Sequence, residues 1–175
     1  MSSESNEIIL GVDPGTTVCG YGCIQAQSSG SGFTPIDYGC IRPPARYQLS
    51  HRYLTLYDSL RLLIAKLRPT VLVLETQFVH SRHNNVQSAI KLSMARGIAM
   101  LVGKQQGLSI YEYAPTQAKK AVVGNGKASK LQVQYMVQKY LNLPELPQPD
   151  DAADALALAL CYAHTADYLK PNYET

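Results

Sequence analysis

Apolar and polar positions alternate along this chain with two distinct periods. Residues 7–13, EIILGVD, form a continuous apolar run that closes on Asp and is followed by Pro-Gly, the pattern of a buried strand with a turn at its end. Residues 18–26, VCGYGCIQA, read as a second strand, and SSGSG at 28–32 as a loop. FTPIDYGCI at 33–41 returns as a third strand, in which Pro35 requires an edge position or a bulge. This opening predicts an antiparallel meander. The period then lengthens. Leu49, Tyr53, Leu56, Leu60, Leu63 and Leu67 recur at spacings of four and three, which predicts a helix over 46–67, ended by Pro69. TVLVLE at 70–75 is a short apolar strand that finishes on a carboxylate. A polar loop leads to a second helix over 85–106 and a strand at 108–113, LSIYEY. Three helices complete the chain: from Pro115 to 123, over 130–141, and from Asp150 or Asp151 to Tyr168. GNGKAS at 124–129 and a stiff connector holding Pro144, Pro147 and Pro149 separate them.

The order β-β-β-α-β-α-β-α-α-α predicts an α/β fold: a mixed five-stranded sheet, three antiparallel strands and then parallel ones, flanked by helices. There is no internal repeat. The expected organisation is a disordered leader at 1–7, one domain over 8–168 and a short tail at 169–175. The 46% hydrophobic and 17% charged residues fit a globular domain. No apolar run reaches the roughly 18 residues of a membrane span. The polar, acidic start MSSESNE lacks signal-peptide features, so a cytoplasmic location is expected. Cys19, Cys23, Cys40 and Cys161 form no CxxC pair and no zinc pattern, and read as reduced thiols, three of them in strands.

The net charge of +3 is unevenly distributed. Residues 76–144 hold nine Lys or Arg (Arg82, Lys91, Arg96, Lys104, Lys119, Lys120, Lys127, Lys130 and Lys139) against one acid, Glu112. Such a basic middle suits a nucleic-acid binder, although a solvated basic face would look the same.

The acids carry the chemistry. Asp13 and Glu75 both end apolar strands, and neighbouring parallel strands would bring them to one sheet edge, where ligands gather. Like charges so close repel unless a cation neutralises them. In PDDAADALALAL, Asp151 and Asp154 lie at i and i+3 on one helical face, among alanines that permit close approach to the sheet. Asp150 reads as the N-cap. Individually, each acid could cap a helix or make a turn. Together they predict a site for Mg²⁺, one or two ions per subunit, with Mn²⁺ as a substitute. Two such ions about 4 Å apart serve in-line phosphoryl displacement without a nucleophilic side chain. Two rivals remain on the residues alone. DPGTT at 13–17 loosely fits the phosphate turn of actin-like ATPases and sugar kinases, and a binding module could grip nucleic acid without cutting it.

Five ordered blocks resemble the RuvC family of bacterial Holliday-junction resolvases: GVDPGTTVCGYGCI, the step from Glu75 to Phe78, IKLSMARG at 90–97, EYAPTQAKKAVVGNGKASK at 112–130 and PDDAADALALAL at 149–160. The resemblance runs over residues 8–164. It implies an RNase H-like fold, a homodimer, and Mg²⁺-dependent cutting of two like-polarity strands of a four-way DNA junction. It also implies work alongside the RuvA–RuvB branch-migration complex. The family's catalytic and metal-binding acids fall on Asp13, Glu75, Asp151 and Asp154. Its junction-centre aromatic falls on Phe78, and two of its basic positions on Lys119 and Lys130. Arg82, Lys120 and Lys127 are further candidate DNA contacts. The loop at 76–85 is a few residues longer than is usual in the family. In the second helix, Ala89, Ser93 and Gly97 stand four apart and, with Met100, suggest a dimer face.

Overall fold

The computed structural model describes residues 7–27, 32–76 and 86–169, with the side chains of 7–27, 32–76 and 86–165. Within them, β1 (Glu7–Asp13), β2 (Cys19–Ala26) and β3 (Phe33–Ile41) form the expected meander. α1 (Leu49–Leu67) crosses to β4 (Val71–Glu75), and α2 (Val86–Gln105) to β5 (Ser109–Tyr113). Then come α3 (Pro115–Val123), α4 (Lys130–Leu141) and α5 (Asp150–Leu169). The sheet order is β3-β2-β1-β4-β5, with β4 parallel to both β1 and β5. None of the described helices is long and apolar enough to cross a membrane.

Strand alternation divides the core in two. Leu10, Val12, Cys19, Cys23, Leu72 and Leu74 face α1 and α2 with Leu56, Leu60, Ala95 and Ala99. Ile9, Ile24, Val71 and Val73 face α5 with Leu156 and Leu160, and α3 and α4 close that layer. Cys19, Cys23 and Cys161 are buried and Cys40 partly so, all as free thiols.

Pro35 receives both of its expected accommodations. β3 is an edge strand, and the register slips between Cys23, opposite Asp37, and Ile24, opposite Pro35. α1 begins at Leu49, the first position of the apolar stripe and three residues later than the expected 46. Pro43 and Pro44 disfavour helical backbone before them, and the Pro44 carbonyl accepts from the Tyr47 N–H to close a turn. Arg52 Nε donates to the Tyr47 carbonyl at 3.0 Å, and its Nη2 to that of Ala45. The one acid of the basic middle, Glu112 on β5, is held by Arg96 of α2.

The expected dimer positions divide. On α2 the inward stripe is Ala95, Ala99, Val102 and Gly103. Ser93 and Gly97 are exposed, and a Cβ at Gly97 would meet no atom within 4 Å. Ala89 is half-buried. Met100 departs from the expectation: it follows Ala99 round the helix and packs against the chain's own core.

Candidate active site

One edge of the sheet collects the acids. Asp13 is the last residue of β1 and pairs with Gly20 of β2. Val12 pairs with Leu74 in the parallel β1–β4 ladder, so Asp13 and Glu75 end adjacent strands one step further on. Adjacent strands lie about 4.8 Å apart. Both acids fall on the odd-numbered face, the one turned to α5, because Ile9, Val71 and Val73 pack there.

α5 reaches this edge because nothing stands between it and the sheet. A Cβ on Gly11 would lie 2.0 Å from the Ala155 carbonyl oxygen, and one on Gly20 would lie 2.0 Å from that of Asp151. Ala152, Ala155 and Ala159 complete the contact from the helix side and are fully buried. Glycine opposite alanine thus lowers the first turn of α5 onto β1 and β2. Asp151 comes to rest above Gly20, the strand partner of Asp13, and Asp154 one turn further along faces the β4 side.

The electrostatics follow from this crowding. Burial first, then the charges of Glu75, Asp154 and Asp151, push Asp13 up to about 7, while Lys130 opposes them. Burial and Asp154 raise Glu75, against Lys119 and Lys130. Asp154 is raised chiefly by burial and by Asp151, with Lys130 and Lys119 acting in the opposite sense. A cleft of about 140 Å³ opens beside the acids, lined by Glu75, Lys119, Lys130 and Asp154 with Pro115, Ala118, Val133 and Ala157. Lys130 Nζ lies 3.9 Å from both Asp150 and Asp154. It opens α4, whose N-cap Ser129 accepts from the Gln132 N–H at 3.2 Å and whose Gln132 side chain returns a bond to Ser129.

Among the described residues, no group of three or more acidic, His or Cys side chains is arranged to enclose an ion. The four carboxylates share an edge but do not converge into a finished coordination shell. Their donor set still suits a hard divalent cation: oxygen only, partly desolvated, and with Asp13 held well above the ordinary carboxylate range. Asp13, Glu75, Asp151 and Asp154 are therefore the residues that could hold one.

The other expected site residues sort themselves by position. Lys119 and Lys130 enter the cleft, whereas Lys120 and Lys127 are exposed and do not line it. The Lys127 N–H closes a loop turn onto Asn125 Oδ1 at 2.9 Å. Phe78 and Arg82 lie outside the described residues. Asp150 is not the N-cap. The Pro149 carbonyl accepts from the Ala152 and Ala153 N–H groups, and Asp150 Oδ1 accepts from Gln134 Nε2 at 2.9 Å. Sequence reading missed that buried Gln134, because nothing in its local pattern distinguishes it from a surface glutamine.

The family model described as "Crossover junction endodeoxyribonuclease RuvC" matches residues 9–162. A curated protein of that name from Protochlamydia amoebophila is 54% identical, covering 96% of this chain and 97% of its own. One from Heliobacterium modesticaldum is 46% identical, covering 90% and 94%. The solved structure of Thermus thermophilus RuvC in complex with Holliday junction substrate superposes with a TM-score of 0.85 at 28% identity, covering 93% of this chain and 96% of that one.

Proposed function

Since the chain belongs to the RuvC family of crossover junction endodeoxyribonucleases, we propose that it resolves four-way DNA junctions by hydrolysing phosphodiesters in two strands of like polarity. The observation that carries this reading is the gathering of four carboxylates from β1, β4 and α5 on one face of one sheet edge. A fold that stores so much negative charge, with Asp13 pushed up to about 7, has left room for a positive partner.

In this reading Asp13, Glu75, Asp151 and Asp154 hold Mg²⁺, for which Mn²⁺ can substitute. When bound, the divalent ion supplies positive charge to the phosphate in the transition state and makes hydroxide available near neutral pH. The chain supplies the rest. The carboxylates would hold that ion at the sheet edge, and Lys119 and Lys130 contact the strand's phosphates from α3 and the start of α4. No Ser, Cys or Tyr lines the described cleft, consistent with direct attack by water: a P–O bond to the water oxygen forms, the P–O3′ bond breaks, O3′ leaves and takes up a proton as a 3′-hydroxyl, and the phosphate stays on the 5′ oxygen of the other fragment. Phe78, Arg82, Lys120 and Lys127 are assigned to DNA contacts on the family resemblance. A homodimer docked through α2 would bring two such edges to the two-fold substrate, and the RuvA–RuvB complex is the expected partner.

The test is cleavage of a synthetic mobile four-way junction, beside a linear duplex and an RNA–DNA hybrid, with Mg²⁺ and with Mn²⁺. Paired symmetrical cuts in the junction alone are expected. An intact junction with either ion, or cutting of all three substrates alike, overturns the reading.

A further inference from the structure

The edge that carries the acids has a second basic rim. Because β2 and β3 are antiparallel, the C-terminal end of β3 returns to the same edge as the ends of β1, β4 and β5. Cys40 pairs with Gly20, and Gly20 with Asp13. The chain then leaves the sheet as Arg42-Pro-Pro-Ala-Arg46-Tyr47 and turns into α1. Between Asp37 and Asp58 there is no acid, while Arg42, Arg46, His51 and Arg52 all fall there. Arg42 and Arg46 are exposed, and neither forms an ion pair among the described residues.

The turn is rigid. Arg52 fastens two of its carbonyls, the Tyr47 N–H donates to the Pro44 carbonyl, and Tyr47 meets His51 edge-on at 6.0 Å. The guanidinium of Arg46 rests 5.6 Å from the Tyr47 ring centroid. Arg42 lies close enough to the acids for its charge and those of Asp151 and Asp13 to act on the same Cys40 thiol, in opposite senses.

We propose that the β3–α1 turn, through Arg42 and Arg46, is a second phosphodiester-binding surface, gripping DNA on the side of the acids opposite Lys119 and Lys130. The occupant is the DNA backbone of the junction, so the inference rests on the nuclease reading above. Arg42 follows the end of β3, while Lys119 and Lys130 line the cleft with Glu75 at the end of β4, so three strand spacings of about 4.8 Å set the two rims roughly 14 Å apart. One strand crossing that distance presents about four phosphates at 3.4 Å each. The acids then sit in the middle of a bound strand held at both ends, and the negative cleft does not repel it.

The experiment is binding of a four-way junction, with Ca²⁺ in place of Mg²⁺, across a series of salt concentrations. Wild type is compared with the double variant Arg42→Gln/Arg46→Gln. A control, Arg68→Gln/Lys104→Gln, removes the same charge at the opposite edge, where α1 and α2 end. All the substituted side chains are exposed, and thermal melting verifies the fold. The double variant should flatten the slope of log affinity against log salt by about two, and bind at 0.1 M salt about a hundredfold more weakly, on the order of tenfold per lost contact. The control should track wild type. A double variant with wild-type slope and affinity, or a control that weakens equally, overturns the proposal while wild-type cutting leaves the nuclease reading standing. Wild type that neither binds nor cuts the junction removes both.

Discussion

Asp13 concentrates the argument at the scale of the single residue. Its carboxyl is raised from 3.8 to about 7 in the metal-free protein, first by burial and then by Glu75, Asp154 and Asp151. The native state therefore holds the proton more tightly than the unfolded chain does. Between those two pH values the unfolded state binds fewer protons, so stability falls as pH rises. Metal-free protein should melt higher at pH 5 than at pH 8 so far as this group governs, and Mg²⁺ should restore more at pH 8. Asp13→Asn removes the buried charge and should raise the metal-free melting temperature at pH 8, at roughly 2–4 °C per kcal/mol for a chain of this size. The same variant should lose more activity than the 10–100-fold typical of residues that merely support a metal ligand. Scanning calorimetry and junction cleavage together check the pair, and a variant that melts lower and still cuts contradicts both. The acids were legible in the sequence because two end apolar runs and two share a helical face. Arg42 and Arg46 were not, because their nearness to Asp13 depends on the pairing of Cys40 with Gly20 and Gly20 with Asp13, which no local pattern displays.

At the scale of elements, the strands were readable to within about a residue, since each is a short apolar run bounded by Gly, Pro or a polar loop. The start of α1 was legible only to within three residues, because nothing in the local pattern shows that the Tyr47 N–H closes a turn onto the Pro44 carbonyl and that Arg52 holds the carbonyls of Ala45 and Tyr47. The alanines of α5 announced close packing, but their partners Gly11, Gly20 and Gly22 emerge only with the register of β1 and β2. Gly11 and Gly20 meet backbone atoms of Ala155 and Asp151, which cannot swing aside, whereas Gly22 first meets the Leu156 side chain. Gly11→Ala should therefore destabilise by about 1–3 kcal/mol, the usual cost of overpacking. Gly20→Ala acts at the first turn of α5, above the strand partner of Asp13. It should depress cleavage at least tenfold and cost stability comparable to that of Gly11→Ala, since each added Cβ meets a carbonyl oxygen at 2.0 Å. Gly97→Ala on α2, with open space around it, should instead stabilise each protomer by about 0.5–1 kcal/mol. Denaturant unfolding of the three variants, with cleavage alongside, checks the ordering. Equal losses at Gly11 and Gly97 would mean that α5 does not rest on glycine.

For the whole molecule, the outstanding question is what covers α2. Val86, Ile90, Met94, Gly97 and Leu101 recur at spacings of four, four, three and four, so they share one face. Ile90, Met94 and Leu101 are each at least half exposed, at 54, 50 and 54%. The inward face is already satisfied by Ala95, Ala99, Val102 and Gly103 against α1 and β5. A continuous outward apolar stripe on a helix costs solubility unless another surface meets it, and the homodimer proposed above supplies a second copy as that surface. A stable isologous contact needs roughly 1,200–2,000 Å² in total, more than this stripe offers, so α1 residues such as the exposed Leu54 would have to join it. If the proposed dimer docks through this stripe, the double variant Ile90→Glu/Met94→Glu places two like charges against their symmetry mates and should sediment as a monomer where wild type should sediment as a dimer. Both side chains are exposed in the protomer, so its melting temperature should change little at low concentration. Because each protomer keeps its own acids, the monomer should still nick a junction slowly but lose simultaneous cutting of both strands. On a supercoiled cruciform plasmid, wild type then yields linear product from paired incision while the variant yields nicked circles. A variant that remains dimeric, or a monomer that still linearises the plasmid in one encounter, would place the two-fold elsewhere on the molecule.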